Sequence, residues 1–107
     1  MALSESDLLR IVLDRLSQRQ FSECNVYLDH RRKMAGELVH VALKKVPMPF
    51  PGHVVFVDLA PQANWGHPVA YFLVNDENED TVRLDGQFPP PSDEMRLHFR
   101  ILAKTAT

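Results

Sequence analysis

His53-Val54-Val55-Phe56-Val57-Asp58-Leu59 and, further on, Val69-Ala70-Tyr71-Phe72-Leu73-Val74 are the stretches whose reading decides the fold. Both are near-continuous apolar runs, the mark of strands covered on both faces. Asn75-Asp76-Glu77-Asn78-Glu79-Asp80 is turn chemistry, and Thr81-Val82-Arg83-Leu84 follows as a third strand. The second and third strands therefore form an antiparallel hairpin. Beyond Pro89-Pro90-Pro91, the residues Met95, Leu97, Phe99 and Ile101 alternate with Arg96, His98 and Arg100, which reads as a half-buried strand.

Upstream, residues 4–19 carry a helix pattern. Ser4 or Ser6 serves as N-cap, and Asp7 suits the positive helix end. Leu8, Leu9, Val12, Leu13 and Leu16 then form one apolar stripe. Residues 22–45 admit two readings. One is a second helix, which puts Gly36 mid-helix at a cost of about 1 kcal/mol relative to Ala. The other is a hairpin of Cys24–His30 and Leu38–Leu43 around a basic turn, which the β-branched and aromatic content favours. Pro47, Pro49 and Pro51 make the following segment a connector. The expected fold is α+β: an N-terminal amphipathic helix packed on an antiparallel sheet of about five or six short strands, with residues 1–107 as a single domain.

Composition narrows the function classes. A net charge of −2 argues against non-specific nucleic-acid binding, which needs a basic surface. One cysteine excludes an internal disulfide and the structural zinc patterns. Charged residues among the first apolar positions do not suit a signal peptide, and no apolar run reaches the length of a membrane span. A reducing cytoplasm is the default location.

Asp76, Asn78 and Asp80 imitate the start of a calcium loop. Thr81 stands where that loop needs Gly, and Gln87 where it needs a bidentate Glu, so a solvated turn is the better reading. The five histidines show no metal-ligand spacing, although in the hairpin reading His30 and His40 would be cross-strand neighbours. No metal or other cofactor is called for. Trp65 lies in a loop, as binding hot spots often do, or else caps the core.

Chemistry is most pointed at Cys24, His67 and Asp85. A thiol nucleophile needs a base, and the base needs a group that orients it. The 69–84 hairpin brings the head of one strand, with His67, beside the tail of the other, with Asp85. Trp65-Gly66-His67-Pro68-Val69-Ala70 and Val82-Arg83-Leu84-Asp85, with a Pro downstream, resemble the His and Asp strands of papain-like enzymes of the transglutaminase and protein-glutaminase kind. The resemblance covers residues 54–90 and implies His67 as base and Asp85 as its orienter. It departs from that pattern at Cys24, which lacks the flanking residues of a helix N-terminus, and at Pro68.

Two functions are thus open. The leading one is a small non-catalytic module binding an unidentified protein or peptide, with no nucleic-acid or membrane role, through a sheet edge and Trp65, Phe50, Tyr71 and Phe88. The same edge suits a homo-oligomer. The alternative is a thiol-dependent amidohydrolase or acyltransferase with a triad of Cys24, His67 and Asp85.

Overall fold

A computed structural model of the chain describes residues 3–17, 19–20, 23–63 and 66–104. Helix α1 (Glu5–Leu13) opens on a reciprocal capping box. Ser4 Oγ accepts from the Asp7 amide at 3.1 Å, and the Ser4 amide donates to the Asp7 carboxylate at 3.1 Å. The Ser4 backbone, then its hydroxyl, holds the Asp7 carboxyl below its ordinary range. The helix ends earlier than the expected 4–19, because the Arg15 and Leu16 amides reach back only three residues, to Val12 and Leu13. Leu8, Ile11 and Val12 face the sheet and are buried, whereas Leu9, Leu13 and Leu16 are only partly so.

Strands β1 (Asn25–Asp29), β4 (Gly52–Asp58), β5 (Val69–Asn75), β6 (Thr81–Gly86) and β7 (Phe99–Lys104) form one antiparallel sheet in the order β6-β5-β4-β1-β7. Strands β2 (Leu38–Val41) and β3 (Lys44–Pro47) form a separate hairpin. Alternation along β4 and β5 sorts their residues onto two faces. Val55, Val57, Ala70, Phe72 and Val74 meet α1, while Val54, Phe56, Val69, Tyr71 and Leu73 meet the β2–β3 hairpin through Val39, Val41 and Met48. Both faces are covered, hence the two unbroken apolar runs. The α+β architecture is as expected.

Three details differ from the sequence reading. Residues 25–29 and 38–41 are strands, yet not partners, since β4 and β7 take both hydrogen-bonding edges of β1. His30 therefore lies beside His98, with ring centroids 5.6 Å apart and planes tilted by 40°, and His40 lies opposite Lys45. Secondly, the alternation from Met95 onward begins in a helix, α2 (Ser92–His98), and becomes strand only at Phe99. Pro91 sits at its N-cap, and Asp93 and Glu94 suit its first turn. Met95 and Phe99 both pack on the hairpin-side core, and their spacing of four fits a helical turn as well as an alternating strand. The third detail is the acidic turn, which is held by its own side chains. Asn75 Oδ1 accepts from the Glu77 amide and Asn78 Oδ1 from the Asp80 amide, while Asp76 is buried against Arg32.

Gly52 marks a close approach. A Cβ there would lie 1.8 Å from the Val74 carbonyl oxygen.

Candidate functional site

The β2–β3 hairpin turns through only Ala42 and Leu43, and Ala42 takes a positive φ of 56°. Two-residue hairpins demand such a conformation, usually from Gly or Asn. The hairpin lies across the sheet, with Val39 and Val41 buried beneath it, and its tip reaches towards β6. Leu43 at the tip is 79% exposed. Between tip and sheet edge lies a cleft of about 480 Å³ lined by Val41, Ala42, Leu43, Val46, Leu84 and Phe88. Lys44, Asp85 and Gly86 complete its wall. Phe88 is 42% exposed, so the apolar lining opens to solvent.

Tyr71 sits underneath, wholly buried. Its hydroxyl donates to the Phe88 carbonyl oxygen at 2.8 Å. Burial pushes the phenol up to about 12, and a hydrogen bond from the Ala42 backbone opposes that rise. One hydroxyl thus ties the hairpin tip to the chain after β6.

Among the described residues no strand pairs with the outer edge of β6. The Asn75 amide donates to the Asp80 carbonyl at 2.7 Å, which marks that pair as hydrogen-bonded. Alternation along the ladder then turns the backbone groups of Thr81, Arg83 and Asp85 outward. Val82 is 38% exposed. The edge carries charge as well: Arg83 Nε donates to Asp85 at 3.0 Å, and its guanidinium lies 5.5 Å from the Phe72 ring centre.

The residues expected to form a triad are placed differently. His67 Nε2 is 2.8 Å from Asp58 Oδ1, which also accepts from the Ala60 amide at 3.0 Å. Its backbone does lie against the end of the β6 segment, donating to the Gln87 carbonyl at 3.3 Å. Asp85, however, pairs with Arg83, and the carboxylate that meets His67 is that of Asp58. Cys24 has no exposed surface and belongs to the core against α1. Val57 faces that same core, so alternation sends the Asp58 side chain to the opposite face. Asn25, directly across from Asp58, is buried, and its Oδ1 has no hydrogen-bond partner among the described residues.

Of the expected partner contacts, Phe88 lines the cleft, and Phe50 is half-buried against the hairpin-side core. Tyr71 is withdrawn from the surface, because its ring fills the core and its hydroxyl braces Phe88. Trp65 lies outside the described residues. Sequence reasoning missed Leu43, Ala42 and Leu84. The dipeptide Ala42-Leu43 carries no turn signature, so nothing in the sequence announced a hairpin tip there.

Among the described residues no group of three or more His, Cys, Asp or Glu is placed to hold a metal ion, and no helix is long and apolar enough to cross a membrane. No family model, curated protein or solved structure matches the chain.

Proposed function

We propose that the protein is a small non-catalytic binding module that takes an extended segment of a partner protein along the edge of β6. The apolar cleft beside that edge carries the reading. Outward backbone groups at Thr81, Arg83 and Asp85 suit an added strand, and the cleft suits an apolar side chain from it. Exposed Leu43 and Phe88 flank that position. A reducing, cytoplasmic setting fits a chain whose one cysteine forms no internal disulfide.

Selection of peptides on the full-length chain tests this. Enriched peptides should carry an apolar anchor, shift the amide resonances of β6 and the hairpin tip, and lose at least about tenfold in affinity with Leu43→Asp. Failure to enrich any peptide, or equal binding by the Leu43→Asp protein, sinks the proposal. Concentration-dependent dimerisation abolished by Leu43→Asp would replace the partner with a second copy.

One observation favours the papain-like alternative: His67 has a carboxylate partner at 2.8 Å, in Asp58. Complete burial of Cys24 weighs against it, since a buried structural thiol is inert. Alkylation of the folded protein decides the matter. Fast reaction below the ordinary thiol range would favour an enzyme, and protection of Cys24 would exclude it.

A further inference from the structure

Among the described residues the large sheet has two outer edges, β6 and β7, and they are built differently. β7 meets β1 through a register that shifts between Val26 and Tyr27, and it carries Arg100 and Lys104. An irregularity and unbalanced charge are devices that keep an edge from pairing with another chain. β6 instead keeps one unbroken register against β5 from Thr81 to Gly86. It contains no lysine and no proline, and its two charges, Arg83 and Asp85, cancel. Such an edge is open to an added strand.

The order of residues in β6 is also complementary to itself. A second β6 running antiparallel can bond only where outward backbone groups meet outward ones. With Leu84 on a two-fold axis, Arg83 stands opposite the partner's Asp85, and Asp85 opposite the partner's Arg83. A slip of two residues either way sets Arg83 against the partner's Arg83, or Asp85 against the partner's Asp85. Opposite charges across a ladder are favourable and like charges destabilising, so one register is selected. Both side chains are within reach of a neighbour, Asp85 being 66% exposed and Arg83 28%. The bonds of Arg83 to Asp85 and to the Arg15 carbonyl leave guanidinium donors for a second carboxylate.

The hairpin-side face fits the same register. Leu84, which lies across from Tyr71, would meet the partner's Leu84 in a non-hydrogen-bonded pair, the closer kind. Exposed Val82 falls opposite the partner's Gly86. Gly86 lies under the hairpin tip, since a Cβ built there would be 3.2 Å from the Ala42 methyl. Each tip, with its exposed Leu43, thus comes beside Val82 of the other copy. We infer that the partner segment is β6 of a second copy, so that two chains join their sheets about a two-fold axis at Leu84. This rests on the binding reading above and gives its partner. The two Arg83–Asp85 pairings supply about four backbone hydrogen bonds. The interface is isologous and closes as a dimer.

Sedimentation of the full chain from micromolar to millimolar concentration, with charge variants, is the test. The native chain should dimerise. Arg83→Asp and Asp85→Arg should each weaken self-association by about tenfold or more, because like charges then face each other. An equimolar mixture of the two variants should form a heterodimer, and the double exchange Arg83→Asp/Asp85→Arg should dimerise again. Asp85 is exposed, so its variant decides even if Arg83→Asp fails to fold. A monomer at every concentration, or a dimer unaffected by Asp85→Arg, overturns the inference. If selected peptides still bind that monomer at the cleft, the binding reading stands without it; if neither dimer nor peptide complex forms, both fail.

Discussion

Tyr71 and Phe88 are joined by a 2.8 Å hydrogen bond from a buried hydroxyl to a backbone carbonyl. Tyr71 stands in the core of the sheet, whereas Phe88 lines an open cleft. The bond therefore couples the stability of the fold to the shape of the binding surface. Tyr71→Phe keeps the ring and removes the link. It should cost about 1–2 kcal/mol in chemical denaturation, and weaken cleft-binding peptides without abolishing them.

Alkaline titration gives an independent reading of the same hydroxyl. The folded phenol is raised to about 12 from an ordinary 10.0. Its contribution is fully present below pH 10 and is lost as pH rises towards 12, because the unfolded chain releases its proton first. The slope over that window integrates to on the order of 2 kcal/mol. Stability measured from pH 9 to 12 should show this decline in the native protein and a shallower one in Tyr71→Phe.

Acid sensitivity resides partly in Asp29. Burial favours its neutral form, but hydrogen bonds from the Arg31 side chain and amide, with the charge of Lys33, outweigh that and lower the carboxyl. A lowered folded value means stability present above the ordinary carboxylate range and lost as pH falls below it. Asp29→Asn should flatten this acid limb. At neutral pH it should cost about 2–3 kcal/mol, below the full value for a broken buried pair because Arg31 stays partly exposed.

At the hairpin tip Ala42 holds a left-handed conformation that Gly adopts freely. Ala42→Gly should raise stability by about 1 kcal/mol, measured by thermal or urea unfolding. A destabilisation would mean that the Ala42 methyl in the cleft wall outweighs its backbone strain.

Gly52→Ala should do the opposite. With the new Cβ placed 1.8 Å from the Val74 carbonyl oxygen, the β4–β5 ladder must part at that end. A loss of at least about 3 kcal/mol, or no folded protein, is expected, and a thermal scan of the variant checks it.

Much of this architecture was legible from residue order. The runs 54–57 and 69–74 are apolar throughout because both faces of β4 and β5 are covered, and strand burial is written into composition. Ser4 and Asp7 announced the helix start through local capping chemistry. Pairing was less accessible. β1 joins β4 and β7, partners 27 or more positions away, and nothing local distinguishes them from β2. Residues 95–98 misled for a related reason, since Met95 and Phe99 satisfy both periodicities.

The candidate sites divide along the same line. By itself the sequence determined the class of fold, the buried strands, the turn at 75–80 and the position of His67 at a strand end. Only the tertiary structure decided that Asp58, not Asp85, receives His67, that Cys24 is sealed against α1, and that Tyr71 braces the cleft from below. The physical reason is range. Capping, turn chemistry and alternation act within a few residues, whereas a cleft is the space left between distant segments once their apolar faces have packed.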